Sequence, residues 1–232
     1  MRTNQEYKNA ALSALKGSWT RAVLVAFVAL FVSELTNLAS WGIDRMAQLG
    51  NVYDEPWVFP LLMCLSVGLM LAFLLFLVYP MTVGLANVFS RLYYNSERDL
   101  LMSFRHLTFE DCTRSAFGMF LMSAVTLGYS LLLIVPGVIA SLALFLTPFL
   151  LKDYPELSVT EVLRMSRKMM QGHKMQLFKL QLSFLGWVVL NVFTLGLGTL
   201  WLLPYMLTTM AAFYQDVREQ YIMKEGQQES AS

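Results

Sequence analysis

Hydrophobic residues in this chain come in long blocks, separated by short polar segments that hold nearly all the charge. Arg114 to Lys152 encloses 37 residues without an acid, lysine or arginine, Lys179 to Asp216 encloses 36, and Glu55 to Arg91 encloses 35. A membrane-crossing helix needs about 20 apolar residues, so each block holds one long helix or two shorter ones, and turn residues decide which. "VPGV", with Pro136 and Gly137, divides the first block, because proline lacks an amide donor and glycine permits reversal. "TLGLG", from Thr194 to Gly198, divides the second. The third has only Pro80, and reads as one helix from Trp57 that kinks there and runs on past the inner face. With Ala22 to Trp41 added, the pattern predicts an all-α polytopic helical bundle of about six transmembrane helices. Their expected bounds are 22–41, 57–80, 115–135, 137–151, 177–194 and 198–216, within one membrane domain covering 1–220. The small polar tail, 221–232, is expected to be disordered.

A second pattern lies in the polar segments. In "SVTEVLRMSRKMMQG", Ser158 and Glu161 have capping-box spacing and Gly172 is a C-terminal stop, which predicts a helix over 158–171. At 100° per residue Val159, Val162, Leu163, Met165, Met169 and Met170 share one side, and Thr160, Glu161, Arg164, Arg167, Lys168 and Gln171 the other. Such a helix suits the membrane surface, with apolar residues toward acyl chains or toward the protein's own helices, and cations at headgroup level. The N-terminal segment 3–16 repeats the arrangement, with Tyr7, Ala11, Ala14 and Leu15 on one side, Lys8 and Lys16 away from it, and Gly17 behind. Residues 99–114 occupy the equivalent place before the third span with a weaker pattern. The reading is therefore three hairpins, each preceded by a cytoplasmic interfacial helix and each beginning and ending inside.

Composition excludes an ordinary soluble domain: 56% of residues are hydrophobic and 14% charged, against roughly 25% charged in a typical globule. The net charge of +1 is less informative than its distribution. Lys and Arg number four in Met1 to Arg21, four in Arg91 to Arg114, six in Lys152 to Lys179 and two after Asp216, with only Arg45 in Gly42 to Pro56. The positive-inside rule then puts both termini in the cytoplasm of a multi-pass protein. The first apolar run is expected to stay as a span rather than be cleaved. Nucleic-acid binding would require cations projecting from a soluble module, and none is evident.

"VPGVIASLALFLTPFLLKDYPELSVTEVLRMSRKMMQGHKMQLFKLQLSFLGW" followed by "TLGLGTLWLLPYMLTTMAAFYQDVRE" resembles the domain-of-unknown-function 975 family of bacterial integral membrane proteins. The likeness covers Arg114 to Glu219, with "ALKGSWTRA" similar to the family's opening and Gly42 to Val67 without visible likeness. It implies a multi-span inner-membrane protein and carries over no catalytic residue.

Candidate chemistry is sparse. Apart from Lys179 and Asp216 near the ends of their spans, Glu34 is the one acid or base inside an expected span, which makes it, with Asn37 and the more distant Asn191, a possible intramembrane polar site. Its place late in the span also fits the outer interface. Arg164, Arg167, Lys168, His173 and Lys174 are the expected contacts to a bilayer with anionic headgroups. His106 and His173 lack the second ligand at helical spacing that a zinc site needs, and Cys64 and Cys112 read as packing residues. No nucleophile elbow, phosphate loop or intramembrane protease motif is present, so no cofactor and no enzyme activity is expected. The expectation is a binding or assembly component, with a protein partner or a second copy as further possible partners. The competing class is a transporter subunit for an amphiphilic compound, suggested by the prolines Pro136, Pro148 and Pro204 in the expected spans.

Overall fold

The computed structural model of the chain describes residues 2–48, 57–95 and 109–229, and among them the regular structure is entirely helical. Helix α1 (Asn4–Leu15) starts at Thr3, whose hydroxyl accepts the Glu6 amide while the Glu6 carboxylate accepts the Thr3 amide. This reciprocal cap satisfies two donors that a helix start leaves open. Gly17, at φ +88, reverses the chain into α2 (Trp19–Gln48), whose first half meets α1 at 103°. α2 runs seven residues beyond the expected end at 41.

The long third block is one continuous rod, as expected: α3 (Val58–Phe73), a π-helical turn at Leu74–Val78, and α4 (Tyr79–Asn95). The kink expected at Pro80 is replaced by that wider turn. Pro80 has no N–H for the Phe76 carbonyl four residues back, the Tyr79 amide reaches five back to Leu74, and the Cys112 thiol approaches the freed Phe76 carbonyl at 4.0 Å. Of the weak third interfacial segment, 99–108 and with it His106 lie outside the described residues, as do Tyr53 and the last three residues of the tail.

The next hairpin turns earlier than expected. α5 (Phe109–Leu132) ends at Leu133, a single extended residue, and α6 (Ile134–Leu144) begins at once, followed by α7 (Thr147–Asp153). Pro136 therefore does not make the turn. It sits in the first turn of α6, where a missing N–H costs no helical bond. Gly137 serves close approach instead: a Cβ there would meet the Ser130 Oγ at 2.1 Å, and one on Gly118 the Leu151 Cδ1 at 2.7 Å. These two contacts fix α5 antiparallel to α6 and α7.

α8 (Val159–Met169) has the expected Ser158–Glu161 capping box and ends before Gly172, at φ +83. α9 (Lys174–Leu182) and α10 (Leu185–Phe193) together make the span expected at 177–194, broken at Ser183 and Phe184. After a turn with Leu195 at φ +53 and Gly196 at φ +86, α11 (Thr199–Glu229) continues past 216, so the expected disordered tail is helical through Glu229. Every amide from Thr194 to Leu202 donates a hydrogen bond, including Gly198 to the Thr194 hydroxyl.

The buried core gathers Tyr7, Val83, Phe149, Leu150, Val162, Leu177 and Phe213 from six of these helices, with Met170 and Phe184 from the turns between them, while α2 packs on α4 through Val25, Phe89 and Leu92. Polar ties cross it. Tyr7 donates to Asp216, Tyr214 donates to Asp153 at 2.6 Å, and Gln215 donates to Ser90 at 3.1 Å. The Arg114 guanidinium donates to the carbonyls of Leu151, Tyr154 and Leu157, closing the end of α7 and seating the entry to α8. Outside this core, α3, the side of α2 carrying Leu24, Phe27, Val28 and Phe31, and both hairpin turns present exposed apolar side chains. Among the described residues, three helices are long and apolar enough to cross a membrane, or four if the bent α1–α2 pair counts as one.

Candidate functional site: a cationic cleft beside the second hairpin

The five cations expected at the membrane surface do not form one patch. Their placement follows from how α8 is held. Val162, Leu163, Ser166 and Met169 are buried, packed against α5, α6, α7 and α11, and the Ser166 hydroxyl donates to the Ala143 carbonyl at 3.0 Å. The apolar side of α8 thus lies on the protein's own helices and not on acyl chains, because an 11-residue helix completes the core more fully this way than by floating beside it. Arg164, Arg167 and Lys168 remain exposed.

α8 also climbs the hairpin. It starts beside Arg114, passes Ala143 at Ser166, and brings Arg167 next to Gly128 and Tyr129. Tyr129 is 15 residues beyond Arg114 on α5, about 22 Å along its axis. Pro136, which the charge pattern puts outside, and Arg167 and Lys174, which it puts inside, therefore line one cavity of about 420 Å³ together with Tyr129 of the expected span between them. Its polar wall is Arg167, Gln171 and Lys174; its apolar wall is Pro136, Ile139 and Ala140 of α6. A second cavity, about 390 Å³, shares Arg167 and Tyr129 and runs against Val125 and Gly128 of α5.

The remaining cations turn elsewhere. Lys168 pairs with Glu225 of α11 at 4.0 Å, and with His173, Tyr221 and Lys224 it lines a separate cavity of about 220 Å³. Burial, and then Lys224, hold the His173 imidazole below its ordinary pKa, with Asp216 opposing, and its Nδ1 is buried without a hydrogen-bond partner. Arg164 is exposed outside these cavities. Sequence reasoning placed Gln171 on the cationic side of the helix but not in a site, and it missed Tyr129, which nothing local announces.

The possible intramembrane polar site is also divided. Glu34 and Asn37 lie exposed on α2, where the Asn37 amide donates to the Glu34 carboxylate at 3.2 Å. Asn191 braces the last hairpin turn, donating to the Thr199 hydroxyl at 2.6 Å and accepting from Thr194 at 3.3 Å. It borders a fourth cavity, about 360 Å³, with Trp19, Trp187, Trp201 and Tyr205. Among the described residues no group of three or more His, Cys, Asp or Glu side chains is arranged to hold a metal ion.

The family described as "Protein of unknown function (DUF975)" matches residues 58–221. The chain belongs to this family. The match begins at α3 and so reaches further toward the N-terminus than the visible likeness from Arg114 onward, taking in the long rod as well as the cationic cleft. No curated protein matches the chain, and no solved structure does.

Proposed function

We propose that the protein is a non-catalytic binding component of the bacterial inner membrane, with both termini cytoplasmic, that engages anionic lipid through the exposed side of α8. The observation that carries this is the row Arg164, Arg167 and Lys168 facing outward from a helix whose other side is locked into the core. The three-hairpin plan supports it with an amendment to the six crossings. From Arg21 to Arg45 α2 rises about 36 Å, enough to cross a hydrocarbon layer of about 30 Å, and α3 returns.

The second hairpin is better suited to lie along the inner face. Phe117, Phe120, Leu127 and Leu131 form an uncovered apolar stripe on α5, and α8 covers a different side. With the stripe toward hydrocarbon, α8 and its cations stay at headgroup level. Were the hairpin upright, Arg164 and Arg167 would instead stand about 10–15 Å into the hydrocarbon. The third hairpin ends in an apolar turn with Leu195 93% exposed and no amide left undonated from Thr194 to Leu202, which is what backbone in contact with lipid requires.

The test is to purify the full-length chain in an uncharged detergent and analyse the lipid that remains bound. Enrichment of anionic over zwitterionic lipid relative to the source membrane is expected, with loss in the Arg164→Gln, Arg167→Gln, Lys168→Gln triple variant. Bound lipid of bulk composition would overturn the proposal. A second reading, a transporter subunit for an amphiphilic compound, draws on the cavity between Trp19, Trp187 and Trp201. It requires saturable quenching of tryptophan fluorescence by such a compound.

A further inference from the structure

We infer that Arg167, Gln171 and Lys174 hold the headgroup of one anionic phospholipid, whose two acyl chains straddle Tyr129. This rests on the membrane-lipid reading above and narrows it to one site. The first support is charge. Several other cations of the molecule are already engaged: Arg114 with three carbonyls, Arg218 with Asp153 at 3.4 Å, Lys8 with the Ser183 carbonyl and the Phe184 ring, and the exposed Lys168 with Glu225. Among the described residues Arg167 and Lys174 have no ion-pair partner, although they share one cleft. Two like charges over an apolar wall are unfavourable until an anion lies between them, and a guanidinium with an ammonium and an amide donor matches a phosphate diester.

The second support is shape. The two cavities, about 420 and 390 Å³, meet at Arg167 and Tyr129 and diverge, one along Ile139 and Ala140 of α6 and the other along Val125 and Gly128 of α5. A single headgroup at the junction therefore has an apolar path on either side, as a two-chain lipid needs and a soluble phosphate compound does not. Gly172 makes the junction possible. Its φ of +83 turns the chain between α8 and α9, so that Lys174 comes back to the cleft that Arg167 and Gln171 already line.

The experiment uses the full-length chain, delipidated in nonionic detergent and titrated with spin-labelled phosphatidylglycerol or phosphatidylcholine. Saturable binding of one phosphatidylglycerol per chain is expected, weakened roughly 25-fold in Arg167→Gln/Lys174→Gln, at about fivefold for each cation lost. Arg164→Gln should match the parent, and Ala140→Phe, which narrows the apolar wall and keeps both charges, should weaken binding as well. Unchanged binding in both the double variant and Ala140→Phe, with the parent still preferring phosphatidylglycerol, overturns this site and leaves the membrane-lipid reading standing. Equal binding of the two lipids by the parent overturns both. Competition by inorganic phosphate as strong as that of unlabelled phosphatidylglycerol overturns the lipid as occupant and points to a soluble anion.

Discussion

A cysteine in place of Leu133, at the apex of the second hairpin, separates a crossing hairpin from one that lies along the inner face. If the hairpin crossed, Leu131, Leu133, Ile134 and Val135, at 80, 68, 81 and 68% exposure, would meet outside water or headgroups. Full burial of such a side chain contributes about 1.5–3 kcal/mol, so leaving about three quarters of four of them in water would cost about 4–9 kcal/mol. The same arrangement would carry Arg164 and Arg167 toward the centre of the hydrocarbon, at about 2.5–3.5 kcal/mol each. Both penalties vanish when the apex dips into the inner leaflet and α8 stays at its surface. In intact cells Leu133→Cys should therefore resist an impermeant thiol reagent, like a cytoplasmic Ser13→Cys, while Gln48→Cys at the end of α2 is labelled. The cysteine-free parent for this series needs Cys64 and Cys112 replaced, and neither is in a disulfide. Labelling of Leu133→Cys from outside as fast as Gln48→Cys would refute the reasoning and restore six crossings.

Three further outcomes follow from particular contacts. Arg114→Met removes a guanidinium that serves three carbonyls and should lower stability by about 3 kcal/mol, read from denaturant or thermal unfolding in detergent, with Arg114→Lys recovering only part. Gly172→Ala should cost about 1 kcal/mol, because nothing lies within 4 Å of an added Cβ and only the left-handed backbone is strained; Gly137→Ala should cost about 2–3 kcal/mol by forcing α5 and α6 apart at Ser130. The His173 imidazole is held below its ordinary pKa by burial and by Lys224, so the unfolded chain takes up its proton first. Stability should be complete above about pH 6.5 and fall as pH drops below it, and His173→Gln should flatten that slope in melting temperatures taken between pH 5.5 and 7.5.

Local signals carried the reading wherever the cause is local. The Ser158–Glu161 capping box, the turns at Gly17 and Gly172, and the continuation of one helix past Pro80 each depend on a few neighbouring residues, and each is present, the last with a π-helical turn in place of the expected kink. The turn expected at Pro136 and Gly137 depends on more. Proline is equally at home in the first turn of a helix, and Gly137 answers to Ser130 across the hairpin, so their local meaning was ambiguous. The apolar side of α8 was legible, but its partner was not, because acyl chains and the helices α5, α6, α7 and α11 ask for the same residues. The cationic cleft failed for a related reason: charge counting sorts residues by side of the membrane, and a helix that climbs a hairpin brings the two lists together.

The bond from Tyr7 to Asp216 joins residues 209 apart in the chain, and Phe213 packs edge-on against the same Tyr7 ring. In time, this means that α1 waits for α11 to be made. At about 5–20 residues per second of synthesis, α1 goes roughly 10–40 s before α11 can receive it. During that interval the side of α1 carrying Tyr7, Ala11 and Leu15 needs a temporary cover. A chain that stops short of Asp216 would leave α1 in that provisional state, so truncation at the C-terminus should be felt first at the N-terminus.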